Sequence, residues 1–328
     1  MKHSMDMDKK ATENPQTDHP ALARLVGLSS REYEHPWDRQ ALQVLERTPG
    51  LPMVVKKLME FGVDRYYRAI FTGSYLRISK TNFSDMHDVM STAAQTLDID
   101  TLPDFYMMPS YEINAFTTGV AIPLICANTG CIDQLTRKEL LWLLGHELGH
   151  IKSQHVLYSQ MAQILPVIGE IVGTATLGIG GLVSQSIQIP LLMWARKAEF
   201  TADRAGLLAC QDIDIAASAL MKMSGVPARF HTKIDQHDFM EQARQFESID
   251  GGSDKFWKAI SIMSSTHPWT VMRAAELQKW IDSGDYNKVL KRQTKKSAVP
   301  SGPSRFCNQC GNKMEAEDKF CRMCGNEL

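Results

Sequence analysis

His146-Glu147-Leu148-Gly149-His150 constrains this chain more than any other stretch. The apolar run Leu140-Leu141-Trp142-Leu143-Leu144 leads into it, and such a run reads as a buried helix rather than a solvated one. On a helix, positions i and i+4 share a face with Cβ atoms about 5–6 Å apart. His146 and His150 can therefore converge on one Zn²⁺ at roughly 2.0–2.1 Å each. Glu147 is one step further round and points beside the ion. A water held by zinc has its pKa lowered from about 15.7 toward about 7 and can pass a proton to that carboxylate. Gly145 and Gly149 each cost a helix about 1 kcal/mol relative to Ala, so a helix that carries both needs them for close packing or room. The plain alternative, two histidines on an exposed helix, fits neither the apolar run nor the glycines.

A third ligand has to come from elsewhere. One known arrangement follows the motif with a glycine and a third histidine at fixed offsets, but Ser153 and Val156 stand there. His155 is one residue off, and on a helix continuous over 138–157 it turns to a different face. The other source is a carboxylate on a second helix. In Arg196-Lys197-Ala198-Glu199-Phe200-Thr201-Ala202-Asp203 the two acids lie at i and i+4 and point the same way. One can bind the ion while the other hydrogen-bonds the outer nitrogen of a ligand histidine and fixes its tautomer. Beside Arg196, Lys197 and Arg204 the pair alone reads as an ordinary charged face. Beside HExxH it reads as Glu199 the ligand and Asp203 the orienting group.

These pieces resemble the HtpX-like and CAAX-prenyl-protease-like zinc metalloendopeptidases of gluzincin type. In order they are Asn114-Ala115-Phe116, the HELGH motif, Glu199 with Asp203 and Gly206, and Thr266-His267-Pro268 with Arg273. Tyr33-Glu34-His35-Pro36-Trp37-Asp38 resembles the family's opening, so the similarity runs from about Tyr33 to Leu277. The resemblance implies a zincin-like metallopeptidase fold with one catalytic Zn²⁺ and Glu147 as the base. It implies a small sheet whose edge strand, at Asn114, Ala115 and Phe116, lines the cleft and takes a polypeptide substrate by main-chain pairing; a plain strand end is the simpler reading. His267 would stabilise the oxyanion or occupy the metal in a resting state; equally, it is a histidine at a helix start before proline. Unfolded or damaged protein is the substrate class implied. A catalytically idle scaffold that holds polypeptides is the alternative, and an intact Glu147 argues against it.

The rest of the chain is organised around this unit. Its 328 residues, 44% hydrophobic and 22% charged, exclude a disordered, collagen-like or disulfide-scaffold protein. A net charge of −1 exerts no global pull toward nucleic acid or anionic lipid, so nucleic acid is not an expected partner. Residues 1–20 read as a disordered tail without the apolar core of a secretory signal, which points to a cytoplasmic chain. Residues 21–287 read as one α+β unit, mostly helical, with strands at Tyr75–Ser79, Phe105–Pro109, Ile113–Gly119 and Val120–Asn128. Residues 288–304 form a basic linker that ends in Pro, Gly and Ser.

Residues 305–328 carry Cys307-x-x-Cys310-Gly and Cys321-x-x-Cys324-Gly, ten residues apart. Four thiolates suit a closed structural zinc site, whose binding energy would fold so short a segment. This zinc ribbon is also where a protein partner could dock. Between the candidate ligands, residues 161–194 are apolar, with Glu170 the one charge. His150 and Glu199 must meet, so any membrane crossings come in pairs. Two crossings need about 40 residues, whereas 34 are available, interrupted by two prolines and five glycines. The stretch reads as a buried or interfacial helical hairpin with Gly180-Gly181 near its tip, which leaves peripheral membrane association, a lid or a lipophilic substrate wall open.

Overall fold

A computed structural model describes residues 22–48, 51, 62–162, 179–248, 269–291, 305–306 and 313–314. The N-terminal tail, the basic linker, His267, residues 163–178 of the apolar stretch and the four ribbon cysteines lie outside the described residues.

In chain order the main elements are α1 (Pro36–Glu46), α2 (Val63–Ser74), β1 (Leu76–Ile78), α3 (Ser84–Thr96), β2 (Asp104–Met108), β3 (Ala115–Thr118), β4 (Leu124–Asn128) and α4 (Thr129–Gln134). They continue with α5 (Arg137–Lys152), α6 (Ile179–Cys210), α7 (Ile213–Met223), α8 (Gln236–Ser248), α9 (Thr270–Asp282) and α10 (Asp285–Leu290). A two-residue pair, β5 (Arg305–Phe306) with β6 (Lys313–Met314), runs antiparallel near the C-terminus.

The protein is mostly helical, with one mixed sheet of four strands ordered β1-β2-β4-β3. The pairs β1/β2 and β3/β4 are antiparallel and β2/β4 is parallel. β4 is buried at all five positions, as a strand covered on both faces has to be, and it reads as the apolar run Leu-Ile-Cys-Ala-Asn. β3 is an edge strand, with Ala115 opposite Ala127 and Phe116 opposite Cys126. All four sequence-expected strands are present; β2 keeps its expected length one residue earlier, and the other three are shorter by two to four residues.

Caps place the central helix. Thr136 and Glu139 form a capping box at the start of α5: Thr136 Oγ1 accepts from the Glu139 N–H at 3.3 Å, and Glu139 Oε2 accepts from the Thr136 N–H at 2.7 Å. Ser218 Oγ at 2.6 Å and Lys222 Nζ at 2.7 Å then donate to the same buried carboxylate and lock α7 onto α5. At α1, the ring of His35 accepts from the Trp37 N–H at 3.2 Å, and Pro36 stands at the first helical position.

Two features depart from the sequence reading. Residues 138–157 are not one helix. α5 stops at Lys152, Gln154 takes a left-handed φ of 59°, and helix resumes at 156. The break reverses the chain so that the His155 N–H reaches the His150 carbonyl at 2.9 Å. The segment around Glu199 is not a separate helix either. It is the second half of α6, which runs 32 residues from Ile179, includes Gly180-Gly181 and passes through Pro190. Leu157, Tyr158 and Met161 after the break pack with Ile187, Leu191 and Trp194 of α6 and with Leu42 and Leu45 of α1. No helix among the described residues is long and apolar enough to cross a membrane.

α5 and α6 touch backbone to backbone. A Cβ added at Gly149 would lie 2.5 Å from Ala205 Cβ and 3.3 Å from Ala202 Cα, and one at Gly206 would lie 2.8 Å from the Trp142 carbonyl. This is the close packing that the glycines implied. It lets side chains from the two helices meet.

Candidate metal centre

His146 and His150 project from α5 and Glu199 from α6 into one small volume. The two Nε2 atoms are 3.2 Å apart. His150 Nε2 lies 3.4 Å from Glu199 Oε1, and His146 Nε2 lies 3.6 Å from Glu199 Oε2. Ligands held about 2.0–2.1 Å from one ion at tetrahedral angles are separated by about 3.3–3.4 Å. The donor set therefore fits zinc in both chemistry and spacing. Among the described residues these three form the one His/Cys/Asp/Glu group with metal-binding geometry.

The far side of His146 is held by an acid and its counter-ion. Its Nδ1 donates to Asp203 Oδ1 at 3.0 Å, and Arg273 of α9 clasps Asp203 with Nε at 2.8 Å and Nη2 at 2.5 Å. Burial alone would raise the Asp203 carboxyl, but Arg273 more than reverses it and holds the group below the ordinary carboxylate range. Burial alone would lower the His146 ring, yet Asp203 and Glu199 outweigh it and lift the ring to about 9. For His150 burial wins and the ring is depressed, with Glu199 working against it. With Nδ1 bonded to Asp203, Nε2 is the nitrogen of His146 that faces the metal volume, where an ion in place of the ring's second proton would find its donor atom.

Glu147 is 3% exposed and sits next to these groups. Thr117 of β3 donates to its Oε2 at 2.7 Å, with the Glu147 carbonyl 3.3 Å away. Edge strand and motif helix are thereby fastened at the candidate base itself. Ala115 and Phe116 lie on that strand, while the Asn114 carbonyl just before it accepts from the Asn128 N–H and from the Cys131 thiol.

The comparisons with known proteins agree with this geometry. The model for peptidase family M48 matches residues 80–281, which run from α3 into α9 and include every group described above. The chain belongs to peptidase family M48. A zinc-ribbon domain model matches residues 306–328. Among M48 relatives, the chain is 33% identical to the plastoglobule-localized metallopeptidase 48, chloroplastic, of Arabidopsis thaliana, over 83% of this chain and 78% of that protein. It is 26% identical to the protease HtpX homolog 2 of Methanosarcina acetivorans, over 63% of this chain and 76% of the relative. Identity is also 26% to a protease HtpX homolog of Ralstonia nicotianae, over 56% and 70%. No solved structure matches the chain.

Thr117 escapes the sequence reading, since it looks like any strand threonine. His155 does not lie where a helix continuous over 138–157 would put it, because the break after α5 carries neither Gly nor Pro to announce it.

Proposed function

We propose that this M48 chain is a zinc-dependent endopeptidase. His146, His150 and Glu199 hold the catalytic ion, and the observation that carries the reading is the tetrahedral spacing of their donor atoms beside a buried Glu147. When bound, zinc supplies Lewis-acid activation of water and of the scissile carbonyl. Glu147 takes the proton from the attacking water at its carboxylate and returns it to the leaving amine. Thr117 keeps that carboxylate in one orientation. Asp203 sets the tautomer of His146, and Arg273 balances Asp203's charge.

A polypeptide adds to the free side of β3 at Asn114, Ala115 and Phe116, where main-chain pairing tolerates many side chains. That tolerance suits unfolded or damaged proteins as substrates, a quality-control role. Cys307, Cys310, Cys321 and Cys324 bind a second, structural zinc in the C-terminal ribbon. His267 remains assigned by resemblance alone.

The test is Glu147→Gln in the full chain. The variant retains both zinc ions and loses cleavage of denatured casein by 10²-fold or more, the order removal of a positioned base costs. Full activity in the variant overturns the reading. Zinc-loaded parent protein that binds unfolded chains without ever cutting them establishes the idle scaffold instead.

A further inference from the structure

His146 is held from behind by an acid on the neighbouring helix. Among the described residues no acid reaches the outer nitrogen of His150, which faces a second histidine. His150 Nδ1 and His155 Nδ1 are 3.1 Å apart, with the rings 5.2 Å apart at 67°. The other side of His155 reaches Asp38, Nε2 to Oδ2, at 3.1 Å. Asp38 also accepts from Trp194 Nε1 at 2.9 Å and Thr201 Oγ1 at 2.6 Å. Asp38, His155, Trp194 and Thr201 are all buried.

The protons on this line are determined once His150 turns Nε2 toward the metal volume. Its Nδ1 then carries hydrogen and donates to His155 Nδ1. The hydrogen of His155 must sit on Nε2, where it donates to Asp38. Every donor has one acceptor, and the acceptor at the end carries a negative charge. An anion at the far end of such a line makes the ligand imidazole a better electron donor and keeps its ring in plane.

We propose that His155 and Asp38 are positioning residues of the metal centre, a carboxylate–imidazole–imidazole line that sets the tautomer and plane of His150. Asp38 lies in the first turn of α1, so the line makes metal affinity depend on the N-terminal segment. That segment is fastened around the same two helices: the His35 N–H donates to Thr201 Oγ1 at 3.0 Å, Tyr33 Oη lies 3.1 Å from Ser153 Oγ, and Arg204 donates to the Tyr33 and Glu34 carbonyls. The backbone reversal at Ser153–Gln154 has its use here, since a helix continued through 155 would carry that ring away from His150. The inference rests on His146, His150 and Glu199 being the zinc site.

The test measures metal binding rather than turnover. Full-length parent, His155→Leu, His155→Gln and Asp38→Asn are titrated with Zn²⁺ against a chromophoric chelator. Co²⁺ visible bands separate the imidazole–carboxylate site from the thiolate site, and unfolding of each metal-free protein is followed alongside. His155→Leu fills the space without hydrogen bonds, and Asp38→Asn removes the charge. Each lowers zinc affinity at the imidazole site by 10–100-fold, the range found when a ligand's outer partner is removed. His155→Gln, whose amide can accept from His150 and donate to Asp38, recovers to within about threefold of the parent. Should His155→Leu fail to fold, Asp38→Asn against His155→Gln carries the same comparison. Affinities within threefold of the parent in His155→Leu and Asp38→Asn overturn the proposal, as does an equal loss in the Gln and Leu variants. A parent that takes up no metal at the imidazole site overturns the zinc reading itself, and this inference with it.

Discussion

Gly149→Ala adds one methyl group at the contact between the helices that carry the candidate ligands. Its Cβ would stand 2.5 Å from the Ala205 Cβ and 3.3 Å from the Ala202 Cα. Ordinary carbon contacts begin near about 3.4 Å, so α5 and α6 must part by about 0.9 Å locally. Ala205 is a main-chain-borne methyl and has no rotamer through which to yield. Overpacking of this kind costs about 1–3 kcal/mol, and replacing a helical glycine by alanine returns about 1 kcal/mol. The net loss, about 0–2 kcal/mol, leaves a domain of ordinary stability folded. The metal centre has less room: His146 and His150 ride on one helix and Glu199 on the other, at 3.4–3.6 Å, whereas zinc sites hold their distances within about 0.2 Å. The expected outcome is at least a tenfold loss of zinc affinity, about 1.4 kcal/mol, in a protein that still unfolds cooperatively in urea. Ala205→Gly in the same chain removes the opposing methyl and restores affinity, so a double-mutant cycle shows strong coupling. Gly149→Ala with parental zinc affinity and parental urea midpoint would refute the reasoning.

Other outcomes are equally specific. Metal analysis gives two zinc ions per parent chain and one each in Glu199→Ala and Cys307→Ser; a single variant that loses both ions contradicts two independent sites. Thr117→Val removes the donor to Glu147 and lowers kcat/KM by about 10–150-fold, the equivalent of about 1.5–3 kcal/mol for a hydrogen bond to a charged group; zinc affinity stays parental, and unchanged kinetics would dismiss the contact. Glu139→Gln destabilises the fold by about 3–5 kcal/mol at pH 7 by leaving the buried Lys222 ammonium without its anionic partner. Burial alone would raise the Glu139 carboxyl, but Lys222, Ser218 and the Thr136 N–H hold it below the ordinary value. Its contribution is therefore full above the unfolded pKa of about 4.3 and fades as pH falls through the depressed folded value. The gap between parent and variant in urea unfolding should narrow on acidification; a pH-independent gap counts against the ionised pair.

Much of this architecture is written in local spacing. The four strands announce themselves by short apolar runs between turn residues, and the motif helix by Leu140–Leu144 with its flanking glycines. His146, His150, Glu199 and Asp203 are legible because i, i+4 periodicity tells which side chains share a face. What local spacing cannot express is contact between distant segments. Asp38 and His155 are neighbours only because α1 lies against α6, and Thr117 finds Glu147 only because the sheet edge lies beside α5. The break after Lys152 was hidden for another reason. Gln154 takes a left-handed backbone that glycine favours, and hydrogen bonds from the Ser153, Gln154 and His155 N–H groups to the end of α5 help hold it there. Arg273 was visible as part of a resemblance, but its clasp on Asp203 is a tertiary fact.

α6 carries two kinds of information on one rod. Trp194 and Leu191 are sunk in an apolar cluster, Ile189 and Met193 face outward, and Glu199 enters the candidate metal volume fewer than two turns beyond Met193. No loop separates Met193 from Glu199 to absorb a push. A push on the apolar part of this helix past Pro190 would be carried along the rod to the acid, which would make the spacing of the candidate ligands sensitive to the company that arm keeps.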